Sequence, residues 1–363
     1  MNKLSKIADN IDWRVITIVF FIIFVGLLCL YSATNVLSLI IFWKQVIWVG
    51  LGIFVMLVAF IIDYRTLMRM AWPIYVITII LLVLVLCIGN EIAGARRWFS
   101  IGPLGFQPSE VAKGMVIILI AFYGAKKRHI DGYGSRDLML PFVVLLVPTL
   151  LILAQPDLGT AGIIVLIAVC MFFVIGIKKS AFITTLFIMI GLLPVAWLSL
   201  KDYQRARILS FLDPNRDPLG TGYHAIQSKI AVGSGGLLGK GFLHGTQTQL
   251  MFLPEHHTDF IFSVVAEEWG FIGSAVVISL YLLLITRIIS VGIKAKDRFG
   301  AILCFGIAIY FTLHVFINIA MAIGLAPVVG VPLPFISYGG SFMLVNMACI
   351  GIVLSVSWRR FFS

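Results

Sequence analysis

Charged side chains are what this sequence has least of. They make up 12% of its 363 residues, against about 25% in soluble globular proteins, and acids are scarcer than bases, 16 against 27. With 61% hydrophobic residues and a mean hydropathy of +1.07, the chain has far more apolar surface than a water-soluble core can absorb, which excludes a soluble enzyme. Cysteine is equally sparse. Cys29, Cys87, Cys170, Cys304 and Cys349 stand singly within apolar runs, and none has the spacing of a metal or redox motif, so they read as packing residues. No small-x-small cleavage site follows the first apolar run, Val15 to Tyr31, and further runs follow it; it is a retained helix and not a signal peptide.

What the chain has instead is a series of long apolar segments. A spanning helix needs about 20 such residues, and the candidates are 14–34, 43–62, 71–89, 109–124, 139–154, 158–176, 180–200, 259–285, 299–323 and 341–358. The sequence therefore predicts an all-α integral membrane protein. Residues 1–363 form a single polytopic membrane domain of about ten transmembrane helices, with a large extracytoplasmic loop, 201–258, between helices 7 and 8. Orientation follows from Lys and Arg, which concentrate in cytoplasmic connections. With both termini cytoplasmic, the inside set is Lys3, Lys6 and Arg14; Arg65 and Arg69; Lys126, Lys127, Arg128 and Arg136; Lys178 and Lys179; Arg287, Lys294, Lys296 and Arg298; and Arg359 and Arg360. The net charge of +11 thus reports topology and calls for no nucleic acid; the expected surroundings are membrane lipids.

The connections richest in Pro, Gly and polar residues, 90–108, 154–158, 201–258 and 324–340, all fall on the outer face in this arrangement, which points to one composite site. Leu253-Pro-Glu-His-His-Thr-Asp-Phe-Ile-Phe262 places Asp259 where an apolar segment meets water or a polar cavity, and carboxylates there are functional candidates. Pro108 suits a first helical position, Glu110 the positive helix end, and Lys113 lies at i+3 from Glu110 on the same face. A local ion pair would explain both, yet an ammonium at membrane depth also marks a functional site. Asp157 after Pro156 repeats the helix-start pattern, again with capping as the plain alternative.

Loops as long as 201–258 usually have a purpose. Ile208, Leu209 and Leu212 at helical spacing, with Arg205 and Arg207 alongside, suit a helix on the membrane surface whose bases could hold a lipid diphosphate. A second short helix is expected from about His224 to Val232, stopping at Gly233, and the glycines of 233–241 give backbone freedom for close approach to a ligand. That stretch lacks the Gly-x4-Gly-Lys-Ser/Thr signature of a nucleotide site. Adjacent His256 and His257 project to different faces and have no third ligand in pattern, so zinc is disfavoured, while a hard cation held by carboxylates and a diphosphate stays open. Glu267 and Glu268, further along the helix, are buried acids in need of partners.

Gln107-Pro-Ser-Glu110, Gln155-Pro-Asp-Leu-Gly-Thr160, Gly233-Ser-Gly-Gly-Leu237, the block 253–262, Ala266-Glu-Glu268 and Pro332-Leu-Pro-Phe-Ile-Ser-Tyr-Gly-Gly-Ser341 together resemble, in order, the signature blocks of the SEDS family (shape, elongation, division, sporulation). The stretch 239–249 is closer to the family's rod-shape branch. The resemblance covers the whole chain. It implies a peptidoglycan glycosyltransferase of the bacterial cytoplasmic membrane that polymerises lipid II into β-1,4 glycan strands on the outer face, with inversion, during cell elongation. It also implies a class B penicillin-binding protein, a transpeptidase, as partner. The family's essential aspartate matches Asp259, expected as general base, and its other sensitive positions match Glu110, Lys113 and Asp157. The expected binding set for lipid II and nascent glycan is Glu110, Lys113, Asp157, Arg205, Arg207, Lys229, Ser337 and Tyr338, with Lys113 and Arg205 or Arg207 facing the diphosphate. No cofactor is certain; a divalent Mg or Mn ion is open. The rival readings are a lipid II flippase or transporter, against which no inverted repeat of broken helices is visible, and a scaffold for the partner.

Overall fold

The computed structural model describes residues 11–35, 38–92, 95–101, 104–126, 132–213, 217, 220, 222–250, 252 and 257–360. Lys3, Lys6, Lys127, Arg128, Glu255 and His256, named above, lie outside the described residues. The long helices are α1 (Trp13–Thr34), α2 (Leu39–Ile61), α4 (Ala71–Ile88), which follows the short α3 (Tyr64–Arg69), α5 (Pro108–Lys126), α6 (Ser135–Ala154), α7 (Leu158–Ile175), α8 (Lys179–Ser199), α12 (Ile261–Ile293), α13 (Arg298–Ala322) and α14 (Gly340–Arg359). Among the described residues nine of these are long and apolar enough to cross a membrane. The tenth expected segment is α8, a helix of 21 residues in which Lys179–Ile188 alone counts as a shorter apolar helix.

Burial grades the bundle. α5, α13 and α14 are mostly enclosed, whereas α2, α4 and α6 turn most of their apolar surface outward, as helices facing lipid do. α14 packs along α2, α12 along α13 and α1, and α5 against α4, α7 and α13, so the polar residues of α5 and α13 are held at the centre.

Two departures from the expected all-helical pattern matter for the site. Between α4 and α5 the chain forms a small antiparallel sheet, β1 (Asn90–Ile92), β2 (Ala95–Ile101) and β3 (Leu104–Phe106). Phe99 pairs with Phe106 across β2 and β3, and Glu91 meets Arg96 at 3.6 Å. Counting apolar runs for membrane spans passes over such short strands, and 90–108 was expected as a plain loop.

The second departure is in the long loop, which contains α9 (Asp202–Leu212), α10 (Tyr223–Ser234) and α11 (Thr246–Gln249). α10 runs through Gly233 to Ser234 before its cap at Gly235, so Gly233 is not the stop that the sequence suggested. The glycines that follow lie close against the backbone of α12. α12 is broken at Gly270, with φ 64° and ψ −157°, a conformation that only glycine adopts readily, and the stretch 236–241 docks into the break. Phe271 N–H donates to Gly236 O at 2.9 Å and Ile272 N–H to Leu237 O at 3.2 Å, while Glu267 O accepts from Lys240 N–H at 3.0 Å and Glu268 O from Gly241 N–H at 2.9 Å. The loop thus replaces the hydrogen bonds that the helix gives up, as an apolar surrounding requires. Gly239, at φ 79°, comes so close to the Glu268 carbonyl that a Cβ there would clash.

Candidate active site

At the end of the bundle where the loops gather lies a cavity of about 400 Å³. It is lined by Arg97 and Trp98 of β2, Gln107, Glu110 and Lys113 from the start of α5, Asp157 ahead of α7, Arg207 of α9, Asp259 ahead of α12, His314 of α13 and the 329–340 segment including Tyr338. All four loops singled out in the sequence therefore contribute residues to the lining of one cavity. A second hollow of about 510 Å³ adjoins it and shares Arg97, Asp157, Arg207 and Val329; its wall adds apolar Leu158, Leu200, Ile208, Pro327 and Val328.

Asp259 sits in the turn before α12, and the backbone around it is clamped from both sides. Ser337 Oγ donates to Thr258 O at 2.6 Å and accepts from Leu333 N–H at 2.8 Å. Asn318 Nδ2, buried on α13, donates to Asp259 O at 2.8 Å and to Val331 O at 2.7 Å. Tyr338 N–H donates to His257 O at 3.0 Å. Gln45 of α2 completes the clamp, donating to Ser337 O at 3.3 Å and accepting from Gly339 N–H at 3.2 Å. A Cβ added at Gly330 would lie 3.5 Å from Asp259 Oδ2, so the segment 324–340 forms the wall against the carboxylate. Burial pushes the Tyr338 phenol up from its ordinary range, which keeps it neutral and able to donate a hydrogen bond.

Lys113 and Glu110 form the expected ion pair, 2.8 and 2.9 Å from the ammonium to the two carboxylate oxygens, and both side chains are buried. The ammonium also reaches His314 Nε2 at 3.2 Å, while His314 Nδ1 lies 3.3 Å from Pro332 O. A carbonyl only accepts, so Nδ1 carries the proton and Nε2 accepts from Lys113. Phe342 and Tyr310 present their rings to the same ammonium at 5.3 and 5.8 Å. Pairing and lining coexist here, since Glu110 and Lys113 both face the cavity. Asp157 likewise does both things. It caps α7 through Thr160 N–H at 3.1 Å and Thr160 Oγ1 at 3.0 Å, and it lines both hollows.

The remaining candidates divide. Arg207 lines both hollows with its guanidinium 5.9 Å above the Tyr203 ring. Arg205 is turned away, donating to Trp197 O at 3.2 Å and Leu198 O at 2.8 Å, where it satisfies carbonyls at the end of α8. Lys229 is exposed on α10 with its side chain against Gly324, outside both hollows, and Ser337 is a clamp and not a liner. Sequence reading passed over Arg97, His314, Asn318 and Gln45. The last three carry a usable signal, being polar residues inside apolar spans. Arg97, whose Nε donates to Gln155 O at 2.8 Å, carries none in sequence.

Fold and site together define a polytopic membrane protein with a charged cavity at one end of its helices. The FtsW/RodA/SpoVE family model, described as cell cycle protein, matches residues 12–360, and the chain belongs to that family. It is 44% identical over 313 residues to the peptidoglycan glycosyltransferase MrdB of Escherichia coli (strain K12), covering 86% of this chain and 84% of MrdB. To the probable peptidoglycan glycosyltransferase FtsW of Geobacter sulfurreducens it is 40% identical over 344 residues, covering 92% and 91%. Among solved structures, the Thermus thermophilus rod shape determining protein RodA superposes with a TM-score of 0.74 at 31% identity, covering 97% of this chain and 98% of RodA. A chain from a peptidoglycan synthase complex that coordinates polymerization and crosslinking gives a TM-score of 0.83 at 37% identity, covering 97% and 99%. Among the described residues no group of three or more His, Cys, Asp or Glu could hold a metal ion.

Proposed function

We infer that this protein is a peptidoglycan glycosyltransferase of the rod-shape type, polymerising lipid II into β-1,4 glycan on the outer face of the bacterial cytoplasmic membrane. The observation that carries this reading is the meeting of Asp259 with Lys113, Arg97 and Arg207 in one cavity. Lipid-linked sugar polymerisation needs that pairing of a base with cations. The acceptor hydroxyl attacks the anomeric carbon and its proton passes to the Asp259 carboxylate, a role worth about 10²–10⁴-fold. The bond from that carbon to the diphosphate oxygen breaks with inversion, and the polyprenyl diphosphate leaves with the electron pair. Lys113 and Arg207 stabilise that charge by electrostatic complementarity; Arg205, committed to the end of α8, is dropped from this role. The apolar wall of the adjoining hollow suits the polyprenyl chain.

Glu110 orients the Lys113 ammonium, Asp157 shapes the start of α7, and Ser337 and Tyr338 hold the Asp259 turn; Lys229 has no part in the cavity. A Mg or Mn ion, where one takes part, would rest chiefly on the substrate diphosphate, with Asp157 or Asp259 adding a carboxylate. A class B penicillin-binding protein fits as partner, in keeping with the crosslinking named for the synthase complex that resembles this chain. Against a flippase, α12 is the one described helix with non-helical dihedrals inside it, where transporters break matching helices in two halves. Purified protein incubated with lipid II in detergent, where no sidedness exists, should yield glycan polymer. Absence of polymer under conditions where MrdB produces it would favour a transporter or scaffold.

A further inference from the structure

A further polar hollow, of about 310 Å³, lies at the other end of α12 from Asp259. Arg287, Ser290 and Lys294 from the end of α12, Arg14 from the start of α1 and Arg360 after α14 converge on it. Asp12 is the acid in this lining. Among the described residues Arg14, Arg287 and Lys294 make no ion pair and no side-chain hydrogen bond, so three cations from two elements face one space that Asp12 alone, among the described lining residues, can offset. Helix dipoles explain only part of this. Lys294 at the C-cap of α12 is favoured there, but Arg287 lies before the last turn, and Arg14 in the first turn of α1 is placed where a cation is disfavoured.

The rim of the hollow is apolar. Trp13 is 56% exposed and Ile293 71% exposed beside these cations, at the ends of two helices apolar enough to span a membrane. An interfacial indole next to a basic hollow between helices is the combination that takes a lipid headgroup, since a soluble phosphate would gain nothing from the apolar rim. We propose that this hollow binds the phosphate headgroup of an anionic phospholipid, away from the proposed active site and independently of it.

The test is native mass spectrometry of the purified full-length protein titrated with dioleoylphosphatidylglycerol, with dioleoylphosphatidylcholine and inorganic phosphate as separate arms. Each Lys or Arg near an anionic surface contributes about 1 kcal/mol, so phosphatidylglycerol should bind at least about ten-fold more tightly than phosphatidylcholine. Millimolar inorganic phosphate should not displace it. Replacing Arg14, Arg287 and Lys294 together with Gln should reduce the preference to under about two-fold, while Arg136, Lys178 and Lys179 replaced with Gln, an equal loss of charge elsewhere, should leave it intact. Should the first variant fail to fold, Arg14→Gln with Lys294→Gln, both exposed positions, carries the test with an expected loss of at least about five-fold. A hollow variant that keeps the full preference, a control variant that loses as much, or displacement by phosphate alone would each overturn the proposal.

Discussion

Glu267 with Lys240 and Glu110 with Lys113 both place a carboxylate out of water beside an ammonium, at 2.7 and 2.8 Å, yet the two pairs are completed in opposite ways. Glu267, 0% exposed, takes Lys240 Nζ, Thr246 Oγ1, Gln247 N–H, Thr248 N–H and Thr248 Oγ1, all within 3.3 Å. That saturates a carboxylate, which offers about four acceptor sites, and its neighbour Glu268 accepts from Ser32 Oγ. Glu110 takes the Lys113 ammonium and looks into the cavity. The same residue types therefore serve as a bolt in one place and as working charge in the other. What separates them is whether the protein uses up the hydrogen-bonding capacity or leaves some facing a hollow.

That distinction sets the sizes of the effects. Glu267→Ala takes the acceptor from Lys240, Thr246, Gln247 and Thr248 at once, and each buried donor left unsatisfied costs about 1–3 kcal/mol. Thermal unfolding in detergent should show it as the largest loss of stability, with activity falling only as folded protein falls. Lys113→Met leaves the Glu110 carboxylate, 4% exposed, without its partner, and losing one side of a buried pair costs about 3–5 kcal/mol, less than the several donors stranded by Glu267→Ala. Its polymerisation rate per folded molecule should nevertheless drop by at least about ten-fold, the share of transition-state charge stabilisation assigned to one cation. If Lys113→Met unfolds the protein as Glu267→Ala does, while the survivors work normally, the comparison fails. The smallest expected effects separate the two arginines of α9. Arg207→Gln should raise the KM for lipid II with stability changed by under about 0.5 kcal/mol, whereas Arg205→Gln should leave KM alone and cost up to about 1 kcal/mol through the end of α8. Steady-state kinetics of both variants with lipid II would sharpen the contrast, and equal KM changes would erase it.

Much of this was legible in the residues because it depends on local rules. Segment length marked the helices, Pro108 marked the start of α5, the i,i+3 spacing gave Glu110 and Lys113, and Asp157 was readable as a cap. Asp259 stood out because a carboxylate at a helix entrance is expensive to keep without a use. The docking of 236–241 into α12 was not legible, since it is made by backbone groups whose partners leave no side-chain pattern, and the glycines were read as serving a ligand. Arg205 and Arg207, two residues apart, looked equivalent until the end of α8 claimed one of them. Asn318 and Gln45 act on Asp259 from helices far away in sequence, and only the folded chain joins them.

The account stands on Asp259 as the base in the cavity. Asp259→Asn keeps the size of the side chain and leaves the clamp on the backbone carbonyl of residue 259 in place, while removing the basicity. With purified protein and lipid II in detergent, the variant should unfold at the parent temperature, bind lipid II as the parent does, and lose polymerisation by at least about 10²-fold. Polymer made at near the parent rate would contradict the account and pass the role to Asp157 or Glu110.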